Sequence, residues 1–108
     1  MTNINLTFEY FTKFSNKDIS ALNDMFTDDI TLTDWDINVS GKTNVLDANK
    51  NIFDNVKSIS IIVKNIAENN NFVFAEIDIT INSETLLNVV DVIEFRKEKI
   101  KSICAYKR

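Results

Sequence analysis

Leu87-Asn88-Val89-Val90-Asp91-Val92-Ile93-Glu94-Phe95 reads as a β-strand, because β-branched and aromatic residues dominate it. Successive side chains of a strand point to opposite faces. Leu87, Val89, Asp91, Ile93 and Phe95 therefore share one face, and Asn88, Val90, Val92 and Glu94 share the other. The carboxyl of Asp91 falls on the more apolar face, where an ionised group is costly. Desolvation is expected to raise its pKa toward neutrality. A neutral carboxylic acid in an apolar site donates a strong hydrogen bond. Asp91 is therefore a candidate for stabilising negative charge on a ligand oxygen.

Ile30-Thr31-Leu32-Thr33-Asp34-Trp35 alternates in the same way. Ile30, Leu32 and Asp34 share one face, so Asp34 ends an inward-facing row. One buried aspartate is commonly a structural group satisfied by backbone amides. Two on the apolar faces of separate strands point more strongly to a site. A third polar group, Tyr10, lies on the inner stripe of a helix predicted from about Asn3 to Ser15, with Leu6, Phe11 and Phe14. A buried tyrosine needs a partner for its hydroxyl. It is either an amphipathic core residue or a second donor beside Asp91.

The remaining elements follow from caps and periodicity. Asp18 is expected to cap a second helix carrying Ile19, Leu22, Met25 and Phe26, with Asp28 and Asp29 at its end. Gly41 marks a turn, and Thr43 is expected to cap a third helix with Asn49, Ile52, Phe53 and Val56 on its stripe. Strands are predicted at about 58–68, 72–82, 85–95 and 100–107. The turns between them are short, which makes a consecutive antiparallel meander. Asparagine-rich turns such as Asn69-Asn70-Asn71 take the place of glycine. Helices first and strands last predict an α+β fold, with helices on one face of a curved sheet. The strand at 72–82 leaves two assignments open. Either Val73, Ala75, Ile77, Ile79 and Ile81 face the interior, or Phe72, Phe74, Glu76, Asp78 and Thr80 do. A one-residue slip at Ser83 exchanges them.

Composition narrows the chemistry. The 108 residues suffice for one domain, 1–108, and one core. The chain has no histidine, which excludes Ser-His and Cys-His nucleophile systems and argues against a transition-metal site. Its one glycine, Gly41, cannot make a phosphate-cradling or dinucleotide-binding loop. No cofactor or metal is expected. A net charge of -4 argues against nucleic acid and anionic membranes as partners. The lone Cys104 and a start without basic and apolar signal regions lead to the expectation of a cytoplasmic protein.

Several segments together resemble the ketosteroid isomerase and SnoaL-like families of the nuclear transport factor 2-like superfamily. They are the helix with Tyr10, Lys17 to Leu22, Met25 to Ile30, Gly41, and Val90 to Phe95. The resemblance spans essentially the whole chain. It implies a cone-shaped antiparallel sheet wrapped around the helices, with a deep apolar pocket at its mouth. It also implies catalytic roles: Tyr10 and Asp91 as oxyanion donors, Asp34 as the carboxylate that moves a proton. Phe14, Phe53, Val89 and Ile93 would be pocket walls. Departures are visible. Trp35 stands where the isomerases have proline, Phe26 and Asn49 where they have supporting tyrosines, and Lys107 where they have an apolar aromatic. Lysine at the mouth would favour an acidic substrate.

The expected activity is that of a cofactor-independent isomerase, shifting a proton α to the carbonyl of a small apolar ketone. A SnoaL-type polyketide cyclase is one alternative. A non-catalytic ligand-binding or dimerisation module is the other. An Asp-Arg-Asp epoxide hydrolase is disfavoured, because the only arginines are Arg96 in a turn and Arg108 at the end. A homodimer is expected, because apolar residues occupy both parities of the long strands, as in Ile61-Ile62 and Val89-Val90.

Overall fold

Thr2 starts the first helix. Its Oγ1 accepts the Asn5 N–H at 3.0 Å, satisfying one of the donors that a helix start leaves open. The computed structural model describes residues 1–108, and α1 (Asn3–Ser15) buries Leu6, Thr7, Tyr10 and Phe11. The helix closes through Lys17 in left-handed geometry (φ 57°), with Lys17 N–H donating to Phe14 O and Asp18 N–H to Lys13 O. This pairing is a Schellman closure with lysine in the usual glycine position. Asp18 then caps α2 (Ile19–Met25) by accepting the Ala21 N–H at 3.0 Å.

Two helix ends differ from expectation. Phe26, Asp28 and Asp29 are not in α2; the chain turns straight into β1 (Phe26–Thr33). Asp29 there meets Arg96 at 2.8 Å, and this pairing holds its carboxyl below the usual carboxylate range. The acids thus avoid the unfavourable negative end of the helix dipole. After the short β2 (Asn38–Ser40), α3 (Lys42–Asn55) begins at Gly41 rather than Thr43. Gly41 takes φ +90°, which side-chain-bearing residues rarely adopt, and it makes no side-chain cap. Val45, Asn49 and Phe53, four residues apart, form the buried stripe of α3.

The remaining strands are β3 (Ile59–Asn69), β4 (Phe72–Ile81), β5 (Thr85–Arg96) and β6 (Lys99–Lys107). The six-stranded sheet has the order β2-β1-β6-β5-β4-β3. The β3 to β6 meander is antiparallel as read from its turns. The β1–β6 pair is parallel, so the sheet as a whole is mixed. Local turn chemistry cannot report that pairing, because the whole meander separates the two strands in sequence. Register settles the strand at 72–82. Ala75 pairs with Asp91, and Val73, Ala75 and Ile77 are buried, so Glu76 and Asp78 lie on the outer face. That outer face exposes Ile62, Phe74, Val90 and Tyr106. No helix is long and apolar enough to cross a membrane.

The β5–β6 turn gives the first prediction. Arg96 pairs with Lys99, leaving a two-residue loop of Lys97 (φ 50°) and Glu98 (φ 64°). Two left-handed residues match the twist of a hairpin but suit Asn-Gly, not Lys-Glu. Glu98→Gly is expected to raise stability by about 1 kcal/mol, a Tm gain of about 4–8 °C. The lost ion pair to the Met1 amine is solvent-exposed and contributes little. Thermal melts of the two proteins decide it; a lower Tm for the variant would show that the turn stores no such strain.

Candidate active site

Asp91 occupies the middle of an inner-face row, Ile66–Ala75–Asp91–Ala105, running across β3 to β6. Both of its immediate cross-strand neighbours are alanines. Ala75 is fully buried, and Ala105 lines a cavity of about 140 Å³ that Asp91 shares. Tyr10 enters it from α1, Asn49 from α3, Asp34 from the β1–β2 connection and Asp91 from β5. Apart from Asp34, Asn49 and Asp91, every lining residue is aliphatic or aromatic.

Each polar group is placed by its local structure. Asp34 lies just beyond β1, where Thr33 pairs with Cys104 of the parallel strand β6. Asp34 and Ala105 both line the cavity, and Ala105 pairs with Asp91. The strands that lead to the two acids, β1 and β5, lie roughly 10 Å apart, two inter-strand spacings. Asp34 Oδ1 accepts the N–H groups of Asp36 and Ile37, both at 2.7 Å, and Asp34 N–H donates to Ile37 O at 2.8 Å. This side-chain turn locks the carboxylate's orientation and leaves its second oxygen uncommitted by these bonds. Strand alternation alone would turn Trp35 to the opposite face from Asp34, yet it also lines the cavity, because the chain has left the strand by that point.

Burial dominates the electrostatics. Asp91 is 6% exposed. Desolvation pushes its pKa up to about 7, and the charge of Asp34 adds to the rise. Tyr10 is 5% exposed and packs among Phe11, Phe14 and Phe26, with ring centroids 5.6, 5.9 and 6.3 Å away. Burial, then the Asp91 charge, drives its phenol well above the ordinary range. No hydrogen bond contributes to either shift. Tyr10 is therefore an O–H donor throughout the working pH range. Asp91 is a donor only while protonated.

The cavity brings together Tyr10, Asp34, Asp91, Phe14 and Val89. Phe53 and Ile93, taken from the sequence as walls, do not line it. Phe53 packs edge-on behind Phe14 at 4.9 Å. Ile93 lies fully buried between Val73 and Ile103, one inner-face row beyond Asp91. Their places in the wall go to Trp35 and to Ile77, Ile79 and Ile81 of β4. Lys107 does not line the cavity either. Its Nζ stacks over the Trp35 ring, 5.0 Å from the centroid, so the lining carries acids but no cation. The acidic substrate suggested by Lys107 alone loses its support. Asn49, which the resemblance set in the place of a supporting tyrosine without a role of its own, is also a lining residue. The available signal was one amide in the middle of the apolar stripe Val45-Asn49-Phe53. No three His, Cys, Asp or Glu side chains converge as a metal site.

A curved, unclosed sheet folded around three helices, with a cavity between them, defines the nuclear transport factor 2-like (NTF2-like) class. The chain belongs to the SnoaL-like domain family, whose model matches residues 8–103. Solved structures share the fold at low identity. An NTF2-like protein of unknown function from Cytophaga hutchinsonii superposes with a TM-score of 0.85 at 17% identity, over 100% of this chain and 91% of that one. A protein of ketosteroid isomerase-like fold from Catenulispora acidiphila, solved with trimethylamine, gives 0.84 at 15%, over 97% and 86%. An LEH-like epoxide hydrolase from M. tuberculosis gives 0.84 at 15%, over 97% and 81%. No curated protein sequence matches the chain.

Proposed function

We propose that this protein is a cofactor-independent enzyme that transfers a proton α to the carbonyl of a small apolar ketone. One observation carries the reading. A possible base, Asp34, and two buried acids, Tyr10 and Asp91, line the same apolar cavity. Asp34 would take the α-proton through its uncommitted oxygen. Tyr10 and neutral Asp91 would hold the dienolate oxygen, and Asp34 would return the proton at the γ-carbon. The bond order shifts along the chain with no net oxidation. Preorganised donors in a water-poor site are typically the largest catalytic contribution to such steps.

The cavity size limits the substrate. About 140 Å³ is close to the volume of an engineered apolar cavity that binds benzene, about 150 Å³. A single ring fills it, and a larger ligand would extend through the open mouth. The trimethylamine held by the C. acidiphila protein is a similarly small molecule. An Asp-Arg-Asp epoxide hydrolase is disfavoured by a lining without arginine. The deciding experiment is the conversion of cyclohex-3-en-1-one to its conjugated isomer, followed by absorbance and by deuterium exchange at the α-carbon. Neither isomerisation nor exchange above the buffer rate would end the enzymatic reading.

A second reading, a non-catalytic binding module, draws on the turn around Asp34. Two backbone amides on one carboxylate oxygen are also what a purely structural aspartate has. In that case small phenols bind while no proton exchanges.

The protein is also proposed to be a homodimer joined through the outer face of β3–β6. The apolar Ile62, Phe74, Val90 and Tyr106 lie there among acids Glu76 and Asp78 and bases Lys64 and Arg108. A face with both signs of charge around an apolar centre is self-complementary about a two-fold axis. Light scattering is expected to give twice the 12.4 kDa chain mass. Ile62→Glu with Tyr106→Glu is expected to give the monomer. A wild-type monomer at micromolar concentration would refute the dimer.

A further inference from the structure

Asn49 is 2% exposed, lies in the buried stripe of α3 and lines the cavity. Its Oδ1 has no hydrogen-bond partner within the protein. Buried polar atoms are satisfied in the great majority of cases, and one left unpaired in an apolar surround is costly. The neighbouring positions of the stripe, Val45 and Phe53, show that this face of α3 otherwise packs as hydrocarbon. A leucine would fill the same space without that cost. The side chain therefore has a use that packing does not supply, and the residue lines the same cavity as Tyr10 and Asp91.

We propose that Asn49 is a specificity-determining residue that binds a second polar group on the ligand, so that the ligand is a compact, neutral hydroxy-ketone rather than a plain ketone. This rests on the reading above in one respect: Tyr10 and Asp91 hold the first ligand oxygen. A carboxamide presents both an acceptor and two donors. A hydroxyl, which both donates and accepts, answers it whichever way the amide is turned. A charged group answers it less well. The lining holds two carboxyls and no lysine or arginine, so a carboxylate on the ligand would find no counter-charge there. The cavity of about 140 Å³ has room for one ring or a short chain beside these groups.

The test uses phenol, catechol, resorcinol and hydroquinone as probes, titrated calorimetrically at pH 6. Phenol mimics the enolate alone; the other three add a hydroxyl at each possible offset. At least one of the three is expected to bind wild type about tenfold more tightly than phenol, the contribution of one buried hydrogen bond. Asn49→Leu and Asn49→Ala should both abolish that preference, read as the ratio of each diphenol's affinity to that of phenol in the same protein. Asn49→Leu should melt at or above the wild-type temperature, because it removes an unpaired polar group. An unchanged preference in both variants overturns the proposal, as does failure of all four probes to bind wild type. So does a Tm loss in Asn49→Leu of the size that broken core packing produces, since Asn49 would then be holding the fold. Failure of the enzymatic reading is seen elsewhere, in the cyclohexenone assay and in phenol affinity that ignores Tyr10→Phe.

Discussion

Asp34→Asn is expected to lower the rate of cyclohex-3-en-1-one isomerisation by 10²–10⁴-fold, the usual contribution of a positioned general base. The amide keeps an oxygen that can accept the Asp36 and Ile37 N–H groups, so the turn at residues 34–37 survives. What it loses is basicity. Phenol should bind the variant as well as wild type, because Tyr10 and Asp91 remain. Tyr10→Phe should behave differently, weakening phenol binding and catalysis together, since its hydroxyl would act on the developing oxyanion. Rate against pH adds a further signature. Asp91 donates only when protonated, and its pKa is pushed up to about 7. kcat/KM should therefore fall as pH rises through about 7. Steady-state kinetics on the three proteins between pH 5 and 9 decide the matter. A variant at Asp34 that keeps wild-type kcat removes the base from the mechanism.

The second large effect is on stability. Asp91 has a folded pKa of about 7 against an ordinary value of 3.8. A raised acid binds its proton more tightly in the folded state than in the unfolded one. Its contribution to stability is fully present below about pH 4 and is lost as pH rises to about 7. At 1.36 kcal/mol per unit, the loss reaches at most about 4 kcal/mol above pH 7. Asp91→Asn cannot ionise and escapes it. The variant should match wild type at pH 4 and exceed it progressively up to pH 8, by a few kcal/mol. Urea unfolding of both proteins across that range measures the difference directly. Parallel curves at all pH values would show that Asp91 has no raised pKa. Gained stability with a weaker oxyanion donor, an amide N–H in place of a carboxylic O–H, is the trade expected where an active site holds a buried acid.

The inward direction of Asp91 and Asp34 was legible from strand parity, which depends only on which residues alternate. The α1 stripe with Tyr10, the Asp18 cap and the four-strand meander were legible for the same reason: each is set by neighbours a few residues apart. The β1–β6 parallel pair was not legible, because it joins strands separated by the rest of the chain. That pair sets the distance between Asp34 and Asp91. The inner face of β4 was left open by the sequence, since a single-residue slip at Ser83 would invert it; the Ala75–Asp91 register closed it. Phe53 and Ile93 belong to the core and not to the cavity wall, because depth along the cone depends on how far each row lies from the mouth. Parity does not encode that distance. Asn49 shows the same division. Its place on an apolar stripe could be read from spacing alone. That its Oδ1 has no partner, and that the residue lines the cavity of Tyr10 and Asp91, follows only from how three helices and six strands pack around one space. Local sequence sets which face a side chain takes. Long-range packing decides what it meets there.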